Sequence, residues 1–542
     1  MERERLIVAV DFGTTYSGVA FCHSSKNGLK DSEVVTTWAG NGIAPKTPTE
    51  IRYPEIAGKD PLWGAEASVA SERRFTSNSN TIYNRFKLLL DPTVEKAVYT
   101  DPITSLLDRY GRMNLGSSIK LPVGKTAIDV STDYLRLLYE DLMHRVFRKR
   151  LPDTLDITSI EFVFTIPAIW GHKAQEATRY AAKTAGFCSR SMDTLTLVSE
   201  PEAAAMYVLH AMGEQNFSRI SDSRFSPFSL PKGENFVICD AGGGTVDLIS
   251  YEVEKTSPKL QLKEAAVGTG AKCGSSYVDE AFLKHLRRKI GPSFDDENVW
   301  TQKHIGKGSS LMKSFDSIKK SLGQTSNDIW FLELPVHVED DENAGIMDNE
   351  LELTLQDLKD LFDPVVEETI KLVESQVNIV RATCGDNKLS TVFLVGGFGE
   401  SQYLYQRLVE WAQQQNPPLV VVNPSESWSA IMRGAVIHAL QSRSTVTSRR
   451  LRQHYGFACS LPFDNSEHDI TDATECPFGG WYLRDSVEWA AKRGEECEST
   501  REIKFPVYRV LDSAEDLEEP FLTRLLGFKG TIAPTFSHNR GK

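Results

Sequence analysis

The sequence predicts an α/β fold made from two copies of one unit, and three observations carry this. Strand-like and helix-like patterns alternate from the N-terminus to about residue 440, the mark of a layered α/β protein. An apolar strand that ends in Asp, with Gly within two residues and Thr after it, occurs at residues 7–15 and again at 236–245. Such self-similarity points to internal duplication. The composition is that of an ordinary globular chain, with 542 residues, 25% of them charged and 40% hydrophobic. That is enough for three or four units of ~100–200 residues, each with its own core.

The elements follow in order. Residues 7–10 read as a buried strand, 11–17 as a turn and 18–22 as the hairpin partner. Residues 162–166 are a strand ended by Pro167. Residues 173–186 place Ala174, Ala177, Tyr180, Ala181 and Thr184 at helical spacing, with Gly186 as C-cap. A strand at 195–198 and a helix at 202–209 precede the second copy, which starts near residue 195. There, 236–239 is a strand, 240–245 a glycine turn and 246–251 the return strand. Thr354 and Asp357 form a capping box opening a helix to about Arg381, with a break or bend at Pro364. Residues 392–395 are a strand and 403–411 a helix. Residues 71–81, 221–233 and the acidic 339–350 read as loops, the last a solvated hairpin tip. Residues 442–452 are basic and polar, a linker, and strand-like pieces follow, notably 503–510.

A net charge of −13 argues against a general nucleic-acid or membrane-surface role. Apolar runs such as 6–10 and 392–395 are strand-sized and fall far short of the ~20 residues of a membrane span. The first five residues lead straight into a short strand, so no secretory leader is expected. There are 8 Cys and no C-x-x-C pair. Cys22, Cys188, Cys239, Cys273 and Cys384 lie among apolar or small residues, which suits buried free thiols in a reducing compartment. A cytoplasmic location is expected, with the nucleus left open.

Three glycine turns carry the chemistry. In Asp11-Phe12-Gly13-Thr14-Thr15-Tyr16-Ser17, glycine lets the backbone approach a ligand and successive amides can cradle phosphate oxygens. Aspartate at the strand end can hold Mg²⁺ through water. In Asp240-Ala241-Gly242-Gly243-Gly244-Thr245-Val246-Asp247, three glycines between two strands would weaken a purely structural hairpin. Two such loops can grip a polyphosphate from both sides. In Leu394-Val395-Gly396-Gly397-Phe398-Gly399, paired glycines at a strand end can lie flat against a base or sugar. The alternatives are an ordinary hairpin turn for the first and a plain strand–helix turn for the third. Neither G-x-x-x-x-G-K-[ST] nor a helix-opening G-x-G-x-x-G is present, which argues against P-loop and Rossmann enzymes.

These segments resemble the actin-like ATPase superfamily and, within it, the heat-shock 70-kDa family. Residues 11–17 are similar to its first phosphate loop, 199–205 to its first connecting segment and 240–247 to its second phosphate loop. Residues 395–397 resemble its adenosine motif and 423–435 its second connecting segment. All five come in family order over about residues 5–440. The resemblance implies two duplicated actin-like (ribonuclease-H-like) lobes around a central nucleotide cleft, residues 1–195 and 196–440, each with a five-stranded mixed sheet. A basic linker, 441–452, and a C-terminal region, 453–542, would follow. That region would be β-rich and like a truncated substrate-binding part.

The resemblance also implies roles. Asp11 and Asp240 would hold Mg²⁺ through its waters. Amides of Gly13, Thr14, Thr15, Gly242, Gly243 and Gly244 would hold phosphates, with Tyr16 and Gly274 beside them. Thr245 would touch the γ-phosphate, Glu200 and Asp247 would order water and metal, and Lys87 would position the attacking water. The alternative for Lys87 is an exposed helix lysine. Pro167 matches a proline linked to domain signalling. Asp316, Lys319, Lys320, Gly396, Gly397 and Phe398 would face the adenosine.

Departures weaken the adenine side. Lys320 replaces an arginine and loses planar stacking. Gly323 replaces a serine, Phe398 a small polar residue, and Glu400 an arginine. The linker lacks leucine runs, and about 90 residues remain after it, too few for a peptide-binding sandwich and lid. This pattern resembles the divergent, type-12-like branch. The implied activity is Mg²⁺-dependent ATP binding with slow hydrolysis to ADP as a conformational switch, with unfolded-protein clients or co-chaperones as partners. The rivals are a non-hydrolysing nucleotide sensor or scaffold and a small-molecule kinase of the superfamily.

Overall fold

The computed structural model describes residues 4–25, 28–40, 43–54, 59–69, 81–91, 119, 121–214, 217–222, 230–256, 261–296, 298–325, 327–385, 388–441, 445–466, 468–475, 479–498, 501–504, 525–530 and 533–534. Most of the loop expected at 71–81, the centre of that at 221–233 and residues 505–510 of the strand expected at 503–510 lie outside them.

The first sheet begins with β1 (Arg5–Phe12), β2 (Tyr16–His23), β3 (Glu33–Val34) and β4 (Lys46–Pro48). A small sheet of β5 (Glu50–Arg52), β6 (Leu62–Trp63) and β7 (Tyr83–Asn84) is inserted before β8 (Ser159–Ile166) and β9 (Thr194–Ser199). The strand order is β3-β2-β1-β8-β9, with β4 paired to β2. Strands β1 and β2 are an antiparallel hairpin, whereas β1, β8 and β9 are parallel.

The second sheet repeats this arrangement. Its strands are β10 (Phe217–Ile220), β11 (Asn235–Ala241), β12 (Val246–Lys255) and β13 (Gln261–Ala271). After an inserted sheet of β14 (Ile329–Glu333), β15 (Ile346–Met347) and β16 (Glu350–Thr354) come β17 (Leu389–Val395), β18 (Val420–Pro424) and β19 (Val446–Arg450). The order runs β10-β18-β17-β11-β12-β13-β19, so β13-β12-β11-β17-β18 matches β3-β2-β1-β8-β9 position for position. The expected five-stranded units are present, each extended at its edges.

Two boundaries differ from the expectation. Residue 195 falls inside β9, which pairs with β8 of the first sheet through Ser199. The expected linker at 441–452 contains β19, a strand of the second sheet beside β13. The described residues after it include β20 (His454–Pro462), β21 (Ala473–Glu475), β22 (Trp481–Ala491), β23 (Glu496–Glu498) and β24 (Leu525–Phe528). β23 joins the second sheet through β19, and the others form an antiparallel sheet ordered β21-β22-β20-β24.

Helices pack on both sheets: α1 (Ala127–Asp141), α2 (His172–Thr184), α3 (Glu200–Glu214), α4 (Ser276–Ile290), α5 (Ser310–Ser321), α6 (Leu355–Cys384), α7 (Gln402–Gln413) and α8 (Ala430–Leu440). The α6 capping box is as read, with Asp357 N donating to Thr354 Oγ1 at 3.1 Å and Thr354 N to Asp357 Oδ2 at 3.0 Å. The helix continues through Pro364, its buried stripe of Leu358, Leu361, Phe362, Val365 and Val366 offsetting one lost backbone hydrogen bond. The acidic segment is a hairpin tip, with Asp341 Oδ1 accepting from Asn343 N at 3.0 Å. Cys22, Cys239 and Cys273 are buried, whereas Cys188 and Cys384 are only half-buried. Among the described residues, no helix is long and apolar enough to cross a membrane.

Helices α3 and α8 lie between the two sheets. One buried cluster takes Ile7, Ala9 and Val163 from the first sheet, Ala203–Ala205 and Ala435 from the helices, and Phe236, Phe393 and Val422 from the second. Glu202 of α3 is buried at this junction. Arg449 of β19 donates to both its oxygens, at 2.8 and 3.0 Å, and His438 of α8 stands 3.3 Å away. Burial raises the Glu202 carboxyl, but His438 and Arg449 outweigh it and bring it to about 2. Since an unfolded glutamate titrates near ~4.3, this contribution is full above that pH and is lost as pH falls toward 2. Glu202→Gln is expected to lose about 2–3 kcal/mol at pH 7, with the gap to wild type narrowing below pH 4.5. Urea unfolding at pH 7, 5 and 3 checks both.

Candidate functional site

The two glycine turns project from the C-terminal ends of β1 and β11, the equivalent strands of the two sheets. They face each other closely. A Cβ on Gly243 would stand 2.1 Å from Thr15 Oγ1, and one on Gly244 would stand 2.7 Å from Thr14 Cγ2. Glycine is therefore what permits this approach. Behind the second loop, the amides of Ser275 and Ser276 donate to Gly242 O and Gly243 O at 3.1 and 2.9 Å. Gly274 is pressed so close that a Cβ would lie 2.4 Å from the Gly243 carbonyl carbon. Behind the first, Thr49 N donates to Thr15 O and Thr49 Oγ1 to Gly13 O, both at 2.9 Å.

Charged groups line the floor. Asp11, Glu200, Asp240 and Asp247 are all buried, and so are Lys46 and Lys87. Lys46 Nζ is 2.6 Å from Asp11 Oδ2, and Lys87 Nζ is 2.7 Å from Glu200 Oε1. Lys87 is thus not an exposed helix lysine. It is 1% exposed, on the turn Phe86–Leu90, with its ammonium 5.3 Å from the Trp170 ring centre and 5.8 Å from that of Phe12. Trp170 is carried by the turn that Pro167 opens, its amide donating to Pro167 O at 3.2 Å.

Burial, then Glu200, pushes the Asp247 carboxyl up to about 7. Burial raises Asp240 well above its usual range, with Glu200, Asp247 and Asp11 adding repulsion. Burial also raises Glu200, although Lys87 opposes it. Four buried carboxyls face two ammonium groups, so all four can be ionised together only with added positive charge, and Asp247 Oδ1 is buried with no hydrogen-bond partner. Buried carboxylates are tolerated when a cation neutralises them. Among the described residues, no three acidic, His or Cys side chains converge enough to ligate one ion directly. A hard cation that keeps several waters suits this floor.

Gly396, with φ +87°, closes the site from β17, and a Cβ there would strike Asp240 Oδ1 at 2.5 Å. Gly397 lies under Trp428, whose indole would be 3.2 Å from a Cβ at that position. Tyr16 meets Trp428 edge-on at 5.5 Å. A cavity of about 330 Å³ flanks this turn, lined in part by Gln324, Glu400, Glu426 and Ser427.

The structure thus brings together Asp11, Gly13, Thr14, Thr15, Tyr16, Lys87, Glu200, Asp240, Gly242, Gly243, Gly244, Thr245, Asp247, Gly274, Gly396 and Gly397. Phe398 is not with them. It is 4% exposed, in the core beside Phe362. The charges of α5 are already paired, Lys319 with Asp279 at 2.6 Å and with Asp316 at 3.3 Å, and Lys320 with Asp316 at 2.6 Å. Sequence reasoning missed Lys46 and Trp428. Both are placed by strand register and turn geometry, with no local motif to mark them.

Comparison with known proteins bears out the resemblance to the heat-shock 70-kDa family. The chain is 26% identical to human Heat shock 70 kDa protein 12B, with 85% of this chain and 72% of that protein covered. It is 25% identical to mouse Heat shock 70 kDa protein 12A, with 85% and 73% covered. Chaperone protein DnaK of Stenotrophomonas maltophilia is 23% identical, with 80% of this chain and 59% of that protein covered. The sequence model described as Hsp70 protein matches residues 7–447, and with two lobes of matching topology around facing glycine loops the chain belongs to the Hsp70 family of actin-like, nucleotide-binding proteins.

Proposed function

We propose that this chain binds ATP and ADP with Mg²⁺ between the two glycine loops and hydrolyses ATP slowly, using the change of nucleotide to set how tightly the lobes close. The observation that carries this reading is the pair of facing loops above a buried floor that holds Lys87 on Glu200. Amides of residues 13–15, 243 and 244 bind phosphate oxygens, whereas Gly242 N already donates to Thr245 O at 2.9 Å. Thr14 and Thr245, one from each lobe, meet the terminal phosphate, so closure depends on its presence. Glu200, Asp247 and Lys87 hold and orient the attacking water. Asp11 and Asp240 accept hydrogen bonds from waters of the metal, which supplies charge neutralisation of the phosphates. Phosphoryl transfer needs such positioning more than covalent help.

The names of several relatives include "chaperone", which supports unfolded-protein clients or co-chaperones as partners. The four-stranded C-terminal sheet is the candidate surface for them. A second reading, a nucleotide sensor without turnover, is favoured by the altered α5 helix, whose lysine charges are already paired with Asp279 and Asp316.

Thermal-shift titration with Mg-ADP and Mg-ATP tests the site. At ligand one hundred times its dissociation constant, linkage gives ~2.7 kcal/mol of stabilisation. Wild type is expected to shift by several degrees, and Asp240→Ala to remain folded without a shift. A wild type that is folded and does not shift overturns the nucleotide reading. A shift without turnover leaves the sensor.

A further inference from the structure

We infer that Lys46 is a resident cation of the nucleotide site, which holds Asp11 and takes over part of the metal's charge neutralisation, so that this chain retains nucleotide when Mg²⁺ is withdrawn. The inference rests on the nucleotide reading above and adds to it a residue that no motif assigns.

Three strands place Lys46. Asp11 of β1 pairs in register with Gly18 of β2, and Gly18 pairs in register with Lys46 of β4. Lys46 and Asp11 therefore stand in one row, separated by a residue with no side chain. The lysine stem crosses that gap. A Cβ on Gly18 would lie 2.8 Å from Lys46 Cγ and 3.3 Å from Cε, and 2.7 Å from Met432 Sδ of α8. The stem is thus enclosed by the glycine and packed near the helix that joins the sheets. It ends in an ammonium 2.6 Å from Asp11 Oδ2, with Lys46 itself 7% exposed.

The consequences fall on Asp11 and its neighbours. Asp11 Oδ1 accepts from Thr165 Oγ1 at 3.2 Å, so each carboxylate oxygen already has a protein donor. Asp11 is therefore a poorer acceptor for metal-bound water than Asp240, which among the described residues has no ammonium in salt-bridge contact. The Lys46 charge also acts on Glu200 and Asp240, where it favours the ionised form. An ammonium is a compact point charge suited to phosphate. Held at the base of the first phosphate loop, it offsets phosphate charge as well as carboxylate charge, and it remains when the metal leaves.

The test is ADP affinity by calorimetry, in saturating Mg²⁺ and in EDTA, for wild type and Lys46→Met. Wild type is expected to weaken by about tenfold or less in EDTA, and Lys46→Met by about a hundredfold or more. In Mg²⁺ Lys46→Met should also bind ADP more weakly than wild type, but with a smaller loss than in EDTA, because Asp11 is freed for the metal in the variant. Gly18→Ala is the second variant, since its methyl displaces the stem while the lysine remains, and it should steepen the metal dependence in the same direction. Melting without nucleotide identifies whichever variant keeps its fold. Equal loss in EDTA for wild type and a folded variant overturns the inference. Absence of ADP binding by folded wild type in Mg²⁺ overturns it together with the nucleotide reading, and that outcome is distinct because the Mg²⁺ arm itself is then flat.

Discussion

Lys87→Met is expected to reduce single-turnover ATP hydrolysis by about two to three orders of magnitude, the usual cost of removing one preorganised electrostatic group, while ADP binding persists. The reason lies in how Lys87 is held. Its ammonium is buried 2.7 Å from Glu200 and is flanked by the rings of Phe12 and Trp170, so it has one position and no water to replace it. Methionine preserves the stem and its packing. Burial raises the Glu200 carboxyl and Lys87 lowers it, so removing the ammonium favours the protonated acid. One substitution then disables two groups, and Lys87→Met with Glu200→Gln should cost little more than either alone. The loop amides are untouched, so the thermal shift with Mg-ADP should stay within a degree or two of wild type. Hydrolysis by Lys87→Met within about fivefold of wild type would remove Lys87 from the chemistry and favour a structural ion pair.

How much of this was legible in the sequence depends on whether the signal was local. The hairpins were, because a strand, its terminal aspartate and the glycine turn are contiguous, and the same order appears at 11 and at 240. The capping box of Thr354 and Asp357 was legible for the same reason, whereas the persistence of α6 past Pro364 depends on what its apolar stripe packs against. The segment 441–452 misled because its charges look solvated in isolation. In the fold, Arg449 reaches Glu202, and Arg452 reaches Glu264 at 2.8 Å, so basic residues that suggested a linker are the means by which β19 is fixed. Phe398 was placed by analogy with a polar position, but an aromatic side chain there gains more from the apolar core beside Phe362 than from a cleft. Lys46 had no signal, since its meaning comes from a row across three strands.

Gly434→Ala should be the most destabilising single methyl in the chain's central layer, and the sign of its effect separates two physical causes. Gly434 lies inside α8, where alanine ordinarily stabilises a helix by roughly 1 kcal/mol over glycine. Here a Cβ would lie 1.8 Å from Ala203 O and 2.6 Å from Ala203 C of α3. The obstacle is backbone, so no rotamer change relieves it. An ordinary C···O contact is about 3.3 Å or more, so the helices would have to part by more than an ångström. Neither moves easily. Ala203, Ala204 and Ala205 are fully buried on one side, as are Met432, Ala435 and Val436 on the other, and the pair fills the space between the two sheets. Overpacking of this kind costs about 1–3 kcal/mol and sometimes more, and a contact against backbone belongs at the upper end. The expected result is a loss of at least about 3 kcal/mol in urea unfolding, with a lower melting temperature. Gly233→Ala is the control. Its φ is +85° and nothing lies within 4 Å of a Cβ there, so it reports backbone strain alone, of order 1 kcal/mol. If Gly434→Ala were neutral or stabilising, helix propensity would have won and the two helices would not be in the contact described. If it is strongly destabilising, the same close crossing that joins the sheets also fixes the spacing of the two glycine loops above it, and Mg-ADP binding should weaken in step with the loss of stability.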